Sequence, residues 1–257
     1  FGLSSRGGSE IFICGWTDPT FLFLLPTLMS VVFVKGDAAT QTLSVVAPAD
    51  LPQRLLDHVC DPAWAAGALF LYAAYTLAGG AATTKGRFSF AERCAAGWYL
   101  WNGCICHLMM DGMAGGPNGG WGLKVMHENY AILDRRFDEA STTAVASDVA
   151  VGTVVTQTEL VFHASLCLAA YVGLASRKGW ADGVALVALS FQLFGAFVFI
   201  LPEFMTGCEN MIPHGEKNCM PGFSLFEIFY FWFGVGVNVV WVIVPAVMIF
   251  NIWRSYA

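Results

Sequence analysis

The stretch "CICHLMMDGM" (residues 104–113) sets a histidine, His107, and an aspartate, Asp111, four residues apart in an otherwise apolar run. On a helix that spacing puts imidazole and carboxyl on one face. A second run carries Asp148, Gly152, Thr156, Glu159 and His163 at helical steps, and a third carries Glu227, Phe231, Gly234, Asn238, Trp241 and Pro245. Three polar stripes on three apolar helices imply a buried polar pocket, because ionisable groups inside a membrane are costly and mark function. Carboxyls and an imidazole in a low-dielectric site can exchange protons with a carbon acid or an alkene. The indole of Trp241 can stabilise a carbocation through its π face. Two other uses of the same residues stay open. His107 and His163 could be axial ligands of a haem, and Asn238 could be an interhelical hydrogen bond.

Those residues need helices long enough to hold them in a bilayer, and the composition supplies them. The 257 residues are 56% hydrophobic and 12% charged, about half the charge of a soluble domain, with a mean hydropathy of +0.60. The reading is an all-α, polytopic membrane bundle of five spans at about 62–80, 91–113, 148–175, 181–203 and 223–252. An extra apolar segment, 21–34, contains Pro26 and is short for a span. The domains are then an N-terminal extension (1–61), a membrane domain (62–252) and a tail (253–257). Polar linkers are expected at 35–61 and 115–147. The chain opens on Phe1, so any targeting segment lies out of view.

The formal charge of −6 comes with no basic run, which argues against a nucleic-acid partner. Lys85, Arg87, Arg93, Arg177, Lys178 and Arg254 fall in loops on one side, the cytoplasmic, matrix or stromal one. Cys94, Cys104, Cys106 and Cys167 read as small hydrophobes. Cys104-x-Cys106-His107 does not read as a metal site, because positions two apart on a helix diverge. Cys208 and Cys219 share a polar loop that can close as a disulfide in an oxidising compartment. No metal and no cofactor is expected.

Several short motifs resemble the emopamil-binding protein family, the sterol Δ8–Δ7 isomerases. "CHLMMDG" resembles its His-x-x-x-Glu-Gly segment, and "NYAILDRRF" (129–137) resembles its Tyr-Ala-x-x-Asp-x-Arg-Tyr loop. "QLFGAFVFILPE" (192–203), "HGE" (214–216), "FYFWF" (229–233) and "VNVVWVIVP" (237–245) follow in the family's order. The resemblance implies a helical bundle around a sterol, with His107, Asp111, Glu159, Asn238 and Trp241 as catalytic residues. It implies isomerisation by proton addition and removal through a carbocation, in the endoplasmic reticulum membrane. Asp111 stands where the family has glutamate, Ala196 where it has an acid, Phe204 where it has histidine, and Phe162 where it has a hydroxyl residue. Those departures and the N-terminal extension define an alternative: a non-catalytic, lipid-binding or accessory subunit of a larger mitochondrial or thylakoid membrane complex.

Overall fold

The computed structural model describes residues 33–37, 42–78, 88–116, 120–137, 146–206 and 238–256. Its helices are α1 (Leu51–Val59), α2 (Ala63–Leu77), α3 (Phe90–Trp101), α4 (Lys124–Leu133), α5 (Ala146–Thr158), α6 (Ala164–Ala175), α7 (Ala181–Thr206) and α8 (Asn238–Tyr256). Two π-helical segments interrupt the α-helices. Asn102–Ala114 continues α3, and Glu159–His163 joins α5 to α6. Segment 21–32, Glu227, Phe231, Gly234, the run 229–233 and the cysteine pair Cys208/Cys219 lie outside the described residues.

The protein is mostly helical, as expected, with one short hairpin among the described residues. β1 (Val34–Asp37) and β2 (Thr42–Val45) form an antiparallel hairpin in register Val34↔Val45 to Asp37↔Thr42. It packs on α4. The expected linker therefore holds a hairpin and α1, and the expected loop 115–147 holds α4 and a 3-10 turn, Arg135–Phe137. α1 turns its polar side inward. Arg54 and His58 are buried, while Leu55, Leu56 and Val59 are exposed. The guanidinium of Arg54 donates to Glu128 and to the Val125 carbonyl of α4, each at 3.4 Å. An outward apolar face on a short helix beside a bundle suits the interfacial zone of a bilayer. Burial pushes the pKa of His58 down, against the opposing pull of Asp61.

Among the described residues, two helical stretches, Ala150–Ala175 and Ala181–Phe199, are long and apolar enough to cross a membrane. Ala63–Leu77 and Val240–Tyr256 are apolar but shorter. Large apolar side chains such as Leu69, Tyr72, Val154, Phe162 and Phe194 stand outward, far more than a water-facing surface carries in one patch. The chain is a helical membrane protein.

α3 starts at a capping box. Glu92 N–H donates to Ser89 Oγ at 3.2 Å, and Ser89 N–H donates to Glu92 Oε2 at 2.6 Å, satisfying two otherwise orphaned donors. α6 ends at Arg177 (φ +51°), where Lys178 N–H donates back to the Gly173 carbonyl at 2.9 Å. That left-handed stop lets the chain reverse into α7 within a few residues. An Arg177–Glu92 ion pair at 3.0 Å and a Tyr256 hydroxyl donating to Asp182 at 2.9 Å tie four helix ends together. Arg177, Lys178 and Arg254 thus share the end of the bundle at which Arg93 begins α3. The core lies between α2, α3 with its π extension, α6 and α7, around Trp98, Tyr99, Met109 and Leu189.

Candidate functional site

The π register of Asn102–Ala114 is what assembles the site. Bonds from residue i to i+5 widen the turn, so residues four and five apart share a side. Asn102, His107 and Asp111 follow that spacing. The close approach to the Glu159–His163 segment depends on Gly112, where an added Cβ would lie 2.7 Å from both Leu160 Cβ and the His107 carbonyl oxygen. Small residues at such crossings let membrane helices meet backbone to backbone. Both π segments thereby face each other at the same depth.

There His107 Nδ1 lies 3.5 Å from Asp111 Oδ2, and His163 Nδ1 lies 4.0 Å from Glu159 Oε1. The Asp111 and Glu159 carboxyls are neighbours close enough to feel each other's charge. The two imidazoles meet edge to face with ring centroids 4.9 Å apart. This contact leaves no width for a porphyrin between them, so the pair does not fit a haem. His107 and His163 are 1% and 4% exposed, and neither His163 nitrogen has a hydrogen-bond partner among the described residues. Ligand atoms of His107, Glu159 and His163 lie within 4.8 Å of one another, a spacing that could also hold a metal ion.

A hydrogen-bonded chain leads into this group from three helices. Trp241 Nε1 donates to Asn102 Oδ1 at 2.9 Å, and Asn102 Nδ2 donates to the Trp98 carbonyl at 3.0 Å. Trp98 Nε1 donates to Gln192 Oε1 at 3.2 Å, and Gln192 Nε2 lies 3.1 Å from His107 Nε2. An indole N–H can only donate, so it fixes the Gln192 carbonyl toward Trp98 and the amide N–H toward His107. His107 Nε2 must then accept, which puts the ring proton on Nδ1, facing Asp111. Replacing Gln192 by Glu presents acceptors to both neighbours. We expect Gln192→Glu to move the His107 proton from Nδ1 to Nε2, read from the ¹⁵N shifts of the labelled ring. An unchanged tautomer would refute this assignment.

Of the residues singled out from sequence, His107, Asp111, Glu159 and His163 come together directly. Trp241 joins them through Asn102 and Trp98, and stacks in a cluster with Trp101 (5.4 Å) and Trp98 (6.3 Å). Asn238 opens α8, and its side chain lies outside the described residues. The stripe on the third span divides. Thr156 donates to the Gly115 carbonyl at 3.1 Å, and Gly152 packs on the Arg136 backbone, so both hold the preceding loop. Asn102 escapes a reading at 3.6 residues per turn, since five residues separate it from His107. Gln192 was legible as part of a motif, without its role.

A helical membrane bundle with imidazoles and carboxyls gathered at one level defines a class: membrane proteins with a buried polar cluster between their helices. The chain belongs to the EXPERA family, the expanded EBP superfamily, whose family model matches residues 123–252. That span includes Glu159, His163, Gln192 and Trp241 and begins after His107 and Asp111. No curated protein matches the chain.

Proposed function

We propose that this protein is an intramembrane sterol Δ8–Δ7 isomerase built on five membrane-spanning helices, in the endoplasmic reticulum. The observation that carries the reading is the Asp111–Glu159 carboxyl pair set against two buried imidazoles. An acid–base exchange needs a carboxyl that brings a proton and a neighbouring base that takes one up. In the reaction, the ring C=C electron pair takes that proton and forms a new C–H bond, leaving a cation on the other alkene carbon. A base then removes a proton from the adjacent ring carbon, and the freed C–H pair becomes the new double bond. No proton is gained or lost overall.

Glu159 and His107 handle the protons, and Asp111 balances the cation beside His107. The Trp98–Trp101–Trp241 cluster supplies aromatic faces near the cation's path, and Asn238 would orient a carboxylate or relay a proton, the role the family resemblance gives it. At Gly195 an added Cβ would stand 3.6 Å from His163 and 3.9 Å from Glu159, so α7 faces both groups at close range. The shorter arm of Asp111 favours the second reading, a lipid-binding accessory subunit of an organellar complex. Against that, its carboxylate still meets both His107 and Glu159.

Expression in cells lacking their own Δ8–Δ7 isomerase, with sterols read by mass spectrometry, tests the proposal. The wild-type chain should convert Δ8 to Δ7 sterol, and His107→Ala should not. No conversion of any of several Δ8 sterols by a correctly inserted chain would sink the enzyme. Conversion that survives metal chelation would assign His107, Glu159 and His163 to proton transfer.

A further inference from the structure

Of the ionisable groups gathered between the two π segments, His163 is the one still without a task. It is 4% exposed, and neither of its ring nitrogens has a hydrogen-bond partner among the described residues. A buried polar group left unsatisfied costs stability, and such groups are few in native structures. A leucine would fill the same space without that cost. The position therefore holds something that packing does not need.

The π turn aims the ring. In the wide turn of Glu159–His163 the residue four on stacks over the first, and the residue three on swings aside. Phe162 is accordingly 61% exposed, while His163 turns inward. Its imidazole is wedged between two rings, with centroids at 4.9 Å from His107 and 5.6 Å from Phe191. α7 passes on the Cε1 side, where a Cβ added at Gly195 would lie 3.6 Å from that atom. Held in this way, Nδ1 stands 4.0 Å from Glu159 Oε1. Closure by about 1 Å would make a hydrogen bond.

A donor held just out of reach of a carboxyl oxygen has a specific use. While Glu159 keeps its proton, the gap gives no stabilisation to the resting protein. When Glu159 delivers that proton to the sterol alkene, its O–H bond breaks and the electron pair stays on the carboxylate. The proton forms the new C–H bond. Negative charge then develops at Oε1, and a nearby Nδ1–H can meet it with a charge-assisted hydrogen bond. A bond made in the transition state and absent from the ground state raises kcat rather than lowering KM.

Resting on the isomerase reading, with Glu159 as the acid, we propose that His163 is a positioning residue for this proton transfer. Its Nδ1–H closes on Glu159 Oε1 as the carboxylate forms, and it passes on no proton of its own. Asp111 faces the Nδ1–H of His107 at 3.5 Å, so each carboxyl has the imidazole four residues away as its donor.

The full chain in detergent, assayed on a Δ8 sterol, tests this. His163→Leu should lower kcat by about 10- to 10²-fold with KM unchanged, the share of one charge-assisted hydrogen bond. It should melt at or above the wild-type temperature, because a buried polar group without a partner is gone. His163→Asn sets an amide N–H near the Nδ1 position and should recover most of the lost kcat. In a Glu159→Gln background, His163→Leu should cost less than about twofold more, since the charge it answers no longer forms. A His163→Leu chain that turns over like the wild type would overturn the proposal. An equal loss in both backgrounds would do the same and mark a packing role. The ¹⁵N shifts of the labelled His163 ring give a reading without sterol: the proton should sit on Nδ1, and an Nε2–H tautomer would overturn the proposal by itself. A wild-type chain that converts no Δ8 sterol removes the isomerase reading and this role with it, whereas equal conversion by wild type and His163→Leu removes this role alone.

Discussion

Glu159→Gln should lower the rate of Δ8-sterol conversion by about 10²- to 10⁴-fold, the range that a positioned acid or base contributes. The substitution keeps the length and shape of the side chain and can still hydrogen-bond to Asp111. What it removes is the ability to carry a proton. Because the five-residue π segment that holds Glu159 meets Gly112 through Leu160, the amide should pack without displacing either helix. The melting temperature in detergent should therefore stay close to that of the wild type. A variant that keeps a rate within tenfold of wild type would remove Glu159 from the chemistry. If Asp111→Asn then proved inactive, the proton carrier would be the aspartate, with Glu159 as its electrostatic partner.

That comparison matters because the two carboxyls are not equivalent in their surroundings. Asp111 has the Nδ1–H face of His107 at 3.5 Å, whereas Glu159 has His163 at 4.0 Å. The held tautomer of His107 can stabilise a carboxylate at Asp111 through its N–H. Among the described residues His163 has no hydrogen-bond partner, and it packs edge-on against His107 and Phe191. It can therefore follow a charge that appears on either acid during the reaction.

How much of this was legible in the sequence depends on which physical signal each part leaves. The apolar blocks and the i, i+4 pairs His107/Asp111 and Glu159/His163 survive any reasonable helical period, so they appear in the sequence and meet in the structure. The π register leaves no compositional mark, because "NGCICHLMMDGMA" reads equally well at 3.6 residues per turn. That is why Asn102 was invisible as a partner of Trp241. The hairpin of β1 and β2 escaped because "VKGDAATQTLSV" is short and polar, and its pairing is supported by packing on α4 rather than by alternation. In α4, "KVMHENYAIL" buries Val125, Met126 and Asn129 on one side, a helical spacing that its polar residues obscure. The loop motif Asp134-Arg135-Arg136 was legible as a family pattern. Its physical role could be seen only once the loop was folded against α7.

That role leads to the second large effect, on stability rather than on chemistry. Asp134 and Arg136 are 3% and 4% exposed. Arg136 donates to both Asp134 oxygens, through Nη2 to Oδ2 at 2.7 Å and through Nε to Oδ1 at 2.9 Å. The Arg136 backbone N–H adds a third bond to Oδ1 at 2.9 Å. On its outer side the guanidinium donates to the Phe199 carbonyl of α7 at 3.2 Å and lies 3.9 Å from the Phe199 ring centroid. The pair therefore latches the 120–137 loop onto α5 and α7, the helices on either side of Glu159 and Gly195. Removing one member strands the other charge in a buried place, which costs about 3–5 kcal/mol. Arg136→Ala should accordingly lower the detergent melting temperature by roughly 10 °C. The double variant Asp134→Ala/Arg136→Ala should recover part of that loss, because no buried charge is then left unpaired. A single variant that melts like the wild type would show that the latch contributes nothing to stability. A double variant no better than the single one would place the stabilisation in the Phe199 contacts instead of the ion pair.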